Sequence, residues 1–174
     1  RAGHHCSINH NIAGFLIDIG ERINDPELIK NGIAKFESLI NIFKFKPETH
    51  YNLASGYSAI YKITEYGKDP KLIPRSKYLQ KAKFHYRKAL EYSDKINPKT
   101  LCRIWTNYGN CLDSLGRSLD AMNAHDKAIR INPKFSMALA NKAVASCFFS
   151  DISGKYREEI NIEAYQTIES IKDK

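Results

Sequence analysis

Apolar residues recur along this chain in short helical faces separated by small residues and turn signals. Trp105, Tyr108, Gly109 and Leu112 fall at i, i+3, i+4 and i+7, one face of a helix. Gly116 interrupts that helix. Ala121, His125 and Ala128 mark the face of a second helix, which Pro133 ends. Small side chains (Gly109, Ala121, Ala128) stand where the two helices would cross, and large ones surround them, as ridge-into-groove packing demands.

The same register recurs upstream. His50, Leu53, Ala54 and Tyr57 hold the four first-helix positions, and 34 residues earlier stand Leu16, Ile19, Gly20 and Ile23. Nine residues after Ile23 comes Gly32, followed by Phe36 and Leu39; the interval from Leu112 to Ala121 is also nine. Asn24-Asp25-Pro26 reads as the inter-helix turn, with Asp25 as a cap and Pro26 at the first helical position. Ala82, Tyr86 and Ala89 repeat the small–aromatic–small face, but 25 residues after Tyr57. The 16 inserted residues include Gly67, Pro70 and Pro74 and are predicted to form a loop. Five further residues between Ala89 and Trp105 extend the predicted second helix toward Asn97-Pro98. Leu139 and Ala143 carry the register onward, with Lys142 at an apolar position. Ser150–Gly154 reads as a turn and Lys155–Lys174 as a final helix. The predicted organisation is a tail or the end of a preceding element over 1–12 and one repeat domain over 13–174, with units at 13–46, 47–101, 102–135 and 136–174.

A 34-residue unit with the pattern W-x2-L-G-x2-Y, A-x3-F and P is that of tetratricopeptide (TPR) repeats, and Trp105–Pro133 resembles it closely. It departs at Tyr108 for Leu, Leu112 for Tyr and His125 for Phe. The resemblance implies an all-α, TPR-like α-solenoid of about four helix-turn-helix repeats in a right-handed superhelix. First helices then line a concave groove and second helices form the convex back. A further resemblance rests on Thr106–Arg117, Asn132–Ala145 and His50–Ser58. These runs are similar to bacterial proteins that carry TPR-like repeats before a C-terminal HEPN domain. Many HEPN domains are ribonucleases using Arg-x4-6-His. No Arg here precedes a His at that spacing, so a catalytic part would lie outside this chain.

Composition narrows the classes. A hydrophobic fraction of 43 % and a charged fraction of 26 % are ordinary for a soluble protein, and no apolar run is long enough to span a membrane. Arg1–Asn11 is polar and His-rich and has no signal-peptide pattern. A chain that does not start with Met reads as a segment of a longer protein. Cys6, Cys102, Cys111 and Cys147 form no C-x2-C pair. Cys102 and Cys111, on one helix about 13 Å apart, are too distant for a disulfide, which points to reduced thiols in the cytoplasm. His4, His5, Cys6 and His10 are metal-ligand types, but without a partner pair downstream the tail reading is preferred and no metal is expected. No nucleophile with a paired base and no phosphate-binding glycine loop is present. The chain reads as a binding protein without a cofactor rather than an enzyme.

Two surfaces are candidates for binding. With Trp105 at position 4 of its unit, position 6 is Asp18, Asn52, Asn107 and Asn141. Three asparagines at one groove position look like the asparagine ladder of peptide-binding TPR proteins, the alternative being that asparagine is simply common there; an amide offers both a donor and an acceptor to a peptide backbone. Tyr51, Ser55, Arg103 and Asn110 complete the candidate groove. The chaperone-tail clamp of TPR co-chaperones is excluded: its five positions read Ile17, Glu21, Asn52, Arg103 and Asn107, and two of the five fit. The second surface is basic. Eight Lys and Arg fall between Lys68 and Lys88 against one acid, Asp69, and Lys77, Lys81 and Lys88 share a helical face. Such a face suits an RNA backbone; a solvated convex face is the preferred reading. The net charge of +8 is compatible with either. The expected function is that of a scaffold that binds a protein or an extended peptide in its concave groove. The alternative is an RNA-recognition or regulatory segment of a HEPN-type ribonuclease in bacterial defence or stress response.

Overall fold

The turn chemistry of the sequence sets the helix boundaries. A computed structural model describes residues 2–40, 47–65, 76–153 and 157–172. It contains α1 (Ala2–Ile23), α2 (Pro26–Ile40), α3 (Pro47–Thr64), α4 (Lys77–Leu90), α5 (Pro98–Ser114), α6 (Ser118–Ile131), α7 (Ser136–Ser153) and α8 (Arg157–Lys172), with a short 3-10 turn at Ser93–Lys95. Between α1 and α2, Asn24 takes a left-handed φ of 54°. Asp25 Oδ1 then accepts from the backbone N–H of Glu27 at 2.9 Å and of Leu28 at 3.2 Å, capping α2 ahead of Pro26. Asn97 caps α5 in the same way, accepting from Thr100 N–H at 2.9 Å. Gly116, with φ of 73°, closes the other end of that helix, and the backbone N–H of Arg117 returns to Leu112 O at 2.9 Å.

The chain divides into two compact units, residues 1–94 and 95–174. In the first, α1–α2 and α3–α4 form hairpins, α2 stacks on α3, and α1 also touches α3. In the second, α5–α6 and α7–α8 form hairpins, α6 stacks on α7, and α5 touches α7. The crossings fall on the small residues of the sequence register. A Cβ on Gly32 would lie 2.7 Å from Ile17, and one on Gly109 would lie 2.4 Å from the His125 ring. Ala54, Ala82, Ala89, Ala121 and Ala128 are fully buried. Gly56, which the register does not single out, admits Ile17 of α1 and Ile33 of α2 against α3.

Several boundaries differ from the sequence reading. Residues 2–11 are not a separate tail but the first turns of α1; nothing after Gly3 breaks a helix, and His10 stands edge-on to Phe36 at 5.0 Å between ring centroids. The five extra residues before Trp105 do not lengthen α4. That helix ends at Leu90, and the link holds the 3-10 turn and the Asn97-Pro98 cap, so α5 begins at Pro98. The predicted turn at Ser150–Gly154 is helical through Ser153, because no Gly or Pro interrupts α7 before Gly154. The inserted Gly67, Pro70 and Pro74 lie outside the described residues.

Leu112 and Ala128 are buried as the register predicts, whereas Trp105 and Tyr108 are only half-buried. Trp105 bridges two small clusters, Cys102–Ala128–Ala138 and Leu112–Ala121–Ala124. Its open face is covered by Lys127, whose Nζ stands 4.2 Å from the ring centroid. Half-burial lowers the cost of truncation below that of a core Trp: Trp105→Ala is expected to destabilise the second unit by about 2 kcal/mol, read from chemical denaturation.

Candidate functional site: the first-helix face

Helical spacing aligns Arg103, Asn107 and Asn110 at i, i+4 and i+7 on α5. Arg103 and Asn110 are exposed and Asn107 is half-buried. The neighbouring first helix, α7, contributes Asn141. The Asn141 Nδ2 donates to Asn110 Oδ1 at 2.9 Å, joining the two helices across their shared face. One hydrogen bond engages one polar group of each amide. Among the described residues it leaves the Asn110 NH2 as a donor and the Asn141 carbonyl as an acceptor. The sequence anticipates each residue but not their pairing, which joins position 9 of one repeat to position 6 of the next.

The candidate residues of the first unit divide differently. Asn52 is half-buried on α3. The Ser55 Oγ is sealed from solvent and has no hydrogen-bond partner among the described residues. Tyr51 is not a groove residue: it is 8 % exposed and lies against Tyr86 of α4, with ring centroids 6.3 Å apart. Its position beside Asn52 suggests a groove contact, but a helical step of about 100° turns it toward the partner helix.

The basic face is partly neutralised from within. Lys68, Lys71 and Arg75 lie outside the described residues, and Lys77 is exposed. Lys81 Nζ donates to the Tyr57 hydroxyl at 3.0 Å, stands 3.5 Å from a Glu37 carboxylate oxygen and lies 4.8 Å from the Tyr57 ring centroid. The Tyr57 hydroxyl in turn donates to Glu37. The hydrogen bond to Tyr57 raises the Lys81 pKa above its ordinary value. Lys88 pairs with Glu91 at 3.0 Å. The three lysines predicted as one phosphate-binding set therefore include two whose ammonium groups already have acidic partners.

Beside this triad sits a pair that sequence reasoning missed. His50 and His85 bring their Nδ1 atoms to 3.0 Å, so one ring donates and the other accepts. The Tyr57 ring stacks on His85 at 5.9 Å and 11°. Burial pushes the His85 pKa down to about 4, helped by the neighbouring His50, and burial also lowers that of His50. Both imidazoles are held neutral, which suits a structural hydrogen bond. The only sequence signal was a His on each of two helices predicted to pair. Among the described residues no cluster of three or more His, Cys, Asp or Glu is placed to hold a metal ion. No helix among them is long and apolar enough to cross a membrane.

No protein-family model matches the chain, and no curated protein sequence matches it. Solved structures do. A crystal structure of MamA protein aligns with 94 % of this chain and 73 % of its own, at 18 % identity and a TM-score of 0.60. A second crystal structure of MamA aligns with 93 % of this chain and 81 % of its own, at 18 % identity and a TM-score of 0.58. The C-terminal part of a TPR repeat-containing protein from Cytophaga hutchinsonii aligns at 13 % identity with a TM-score of 0.39, too low to bear on the fold. At these identities the likeness concerns architecture alone. Stacked helix hairpins with small residues at their crossings, together with these neighbours, make the fold a TPR-like α-solenoid.

Proposed function

We propose that this chain is a protein-interaction scaffold whose first-helix face in the second unit binds an extended peptide or a partner's extended segment. The observation that carries this reading is the Asn110–Asn141 pair. Its remaining donor and acceptor match the C=O and N–H of an extended peptide, which presents both along one edge. Exposed Arg103, two turns away on the same face of α5, supplies a charge that selects among sequences. The protein acts by binding and places no chemistry on its partner. Thiols at Cys102, Cys111 and Cys147 suit a reducing cytoplasm. An RNA partner has less support, because Lys81 and Lys88 already pair with Glu37 and Glu91.

The test is selection of binders from a random peptide library on the purified chain, followed by affinity measurements. Asn110→Ala combined with Asn141→Ala should weaken a selected peptide roughly 10-fold, from two net hydrogen bonds of about 1 kcal/mol each, partly offset by release of the pair. Thermal stability should be nearly unchanged, because neither amide supports the core. Peptides that bind the double variant as tightly as the wild type would refute the reading.

A further inference from the structure

Helix α1 is apolar on two sides. Ala13, Ile17 and Gly20 meet α2. On the far side Ile8, Ile12, Phe15, Ile19 and Ile23 form a second stripe, between 40 % exposed at Ile12 and 65 % at Phe15. At 1.5 Å per residue it is roughly 22 Å long. An exposed contiguous apolar strip of this kind marks an interaction surface.

The repeat register identifies what covers such a stripe elsewhere in the chain. The positions equivalent to Phe15, Ile19 and Ile23 are Thr49, Leu53 and Tyr57 on α3, all at most 2 % exposed. Tyr57 donates from that face to Glu37 of the preceding second helix, α2, while its ring stacks on His85 of α4. On α7 the equivalents are Ala138, Lys142 and Ser146. Lys142 pairs with Asp126 of the preceding second helix, α6, at 3.1 Å, and Ser146 Oγ donates to the Met122 sulfur of α6 at 3.2 Å. The α1 stripe thus corresponds to a face that a preceding second helix reaches on both α3 and α7. Helix α8 carries the complementary feature. On α6, Met122 and Asp126, which bond to α7, follow by one the buried Ala121 and His125. On α8, the residue after buried Ala164 is Tyr165, 66 % exposed, and Ile162 stands three residues earlier at 52 %. Where α7 offers Lys142 to an aspartate, α1 offers Ile19, which calls for an apolar partner such as Ile162 or Tyr165.

We propose that a second copy of this chain docks its α8 on the outer face of α1, so that copies join head to tail as a continuation of the internal α6-on-α7 stacking. The contact is heterologous, with different surfaces on the two copies, and therefore builds beyond a dimer, into a ring or an open filament.

Sedimentation of the purified chain over a roughly hundredfold concentration range should show a weight-average mass rising past that of a dimer. Phe15→Glu with Ile19→Glu removes one end, and Ile162→Glu with Tyr165→Glu removes the other. Each double variant should stay monomeric with unchanged helical circular dichroism, since all four side chains are exposed. An equimolar mixture of the two variants should form a one-to-one dimer and nothing larger, because each retains the end the other lacks. A wild type that is monomeric throughout overturns the proposal. So does a closed dimer that survives the α8 substitutions, which would mean that α1 pairs with α1, or a mixture in which the two variants fail to associate.

Discussion

Gly109→Leu should cost the second unit about 3 kcal/mol or more, the upper end of overpacking effects. A Cβ at this position would come within 2.4 Å of His125 Cε1 and 2.7 Å of its Nδ1. His125 is 1 % exposed, so the ring has no solvent-side space to move into. The α5–α6 crossing would have to open, separating Ala121 and Ala128 from α5. The gain from replacing a helical Gly, about 1 kcal/mol, does not offset this. His125→Ala made together with Gly109→Leu should recover part of the loss. In a double-mutant cycle the two changes are then strongly coupled, whereas two independent lesions would simply add. Equal melting temperatures for Gly109→Leu and the wild type would show that the crossing is looser than described.

Acid should destabilise the second unit through the same residue. Burial pushes the His125 pKa down from 6.5 to about 4, against the opposing pull of the Asp113 and Asp126 carboxylates. The folded state holds the ring neutral, while the unfolded chain protonates it near pH 6.5. The stabilising preference is therefore fully present above pH 6.5 and is lost as pH falls toward 4, on the order of 3 kcal/mol in all. His125 Nδ1 is also buried without a hydrogen-bond partner among the described residues, so the neutral ring is itself imperfectly accommodated. His125→Phe, which restores the residue of the TPR pattern, should stabilise the unit at neutral pH and flatten this part of its pH dependence. The check is the difference between wild-type and variant unfolding free energies at pH 7 and pH 4.5. A difference that does not widen on acidification would contradict the assignment.

Crossing geometry was legible in the sequence because it depends on residue size at fixed spacing. Gly32, Gly109, Ala121 and Ala128 could be placed without knowing any partner, and Asp25-Pro26 and Gly116 mark their turns by local backbone chemistry alone. What was not legible depends on contacts between elements. The register gives Trp105 its position in the repeat, but not that the Lys127 ammonium lies over its ring and leaves it half-exposed. Tyr51 and Asn52 are adjacent, and one is buried against Tyr86 while the other is half-buried. Lys81 looks like a free surface charge until α2 and α4 bring Glu37 to it across 44 residues. The Asn110–Asn141 bond spans 31 residues, and each of its members looks like an ordinary exposed amide in isolation.

The proposal that this face reads peptides is tested most directly by following side-chain amide resonances of the 15N-labelled chain while a library-selected peptide is added. The NH2 signals of Asn110 and Asn141 should shift or broaden together, with the backbone signals of α5 and α7 around them, while α6 and α8 stay largely unperturbed. Perturbations confined to α6 and α8, or an Asn110–Asn141 pair that does not respond to a bound peptide, would contradict the account.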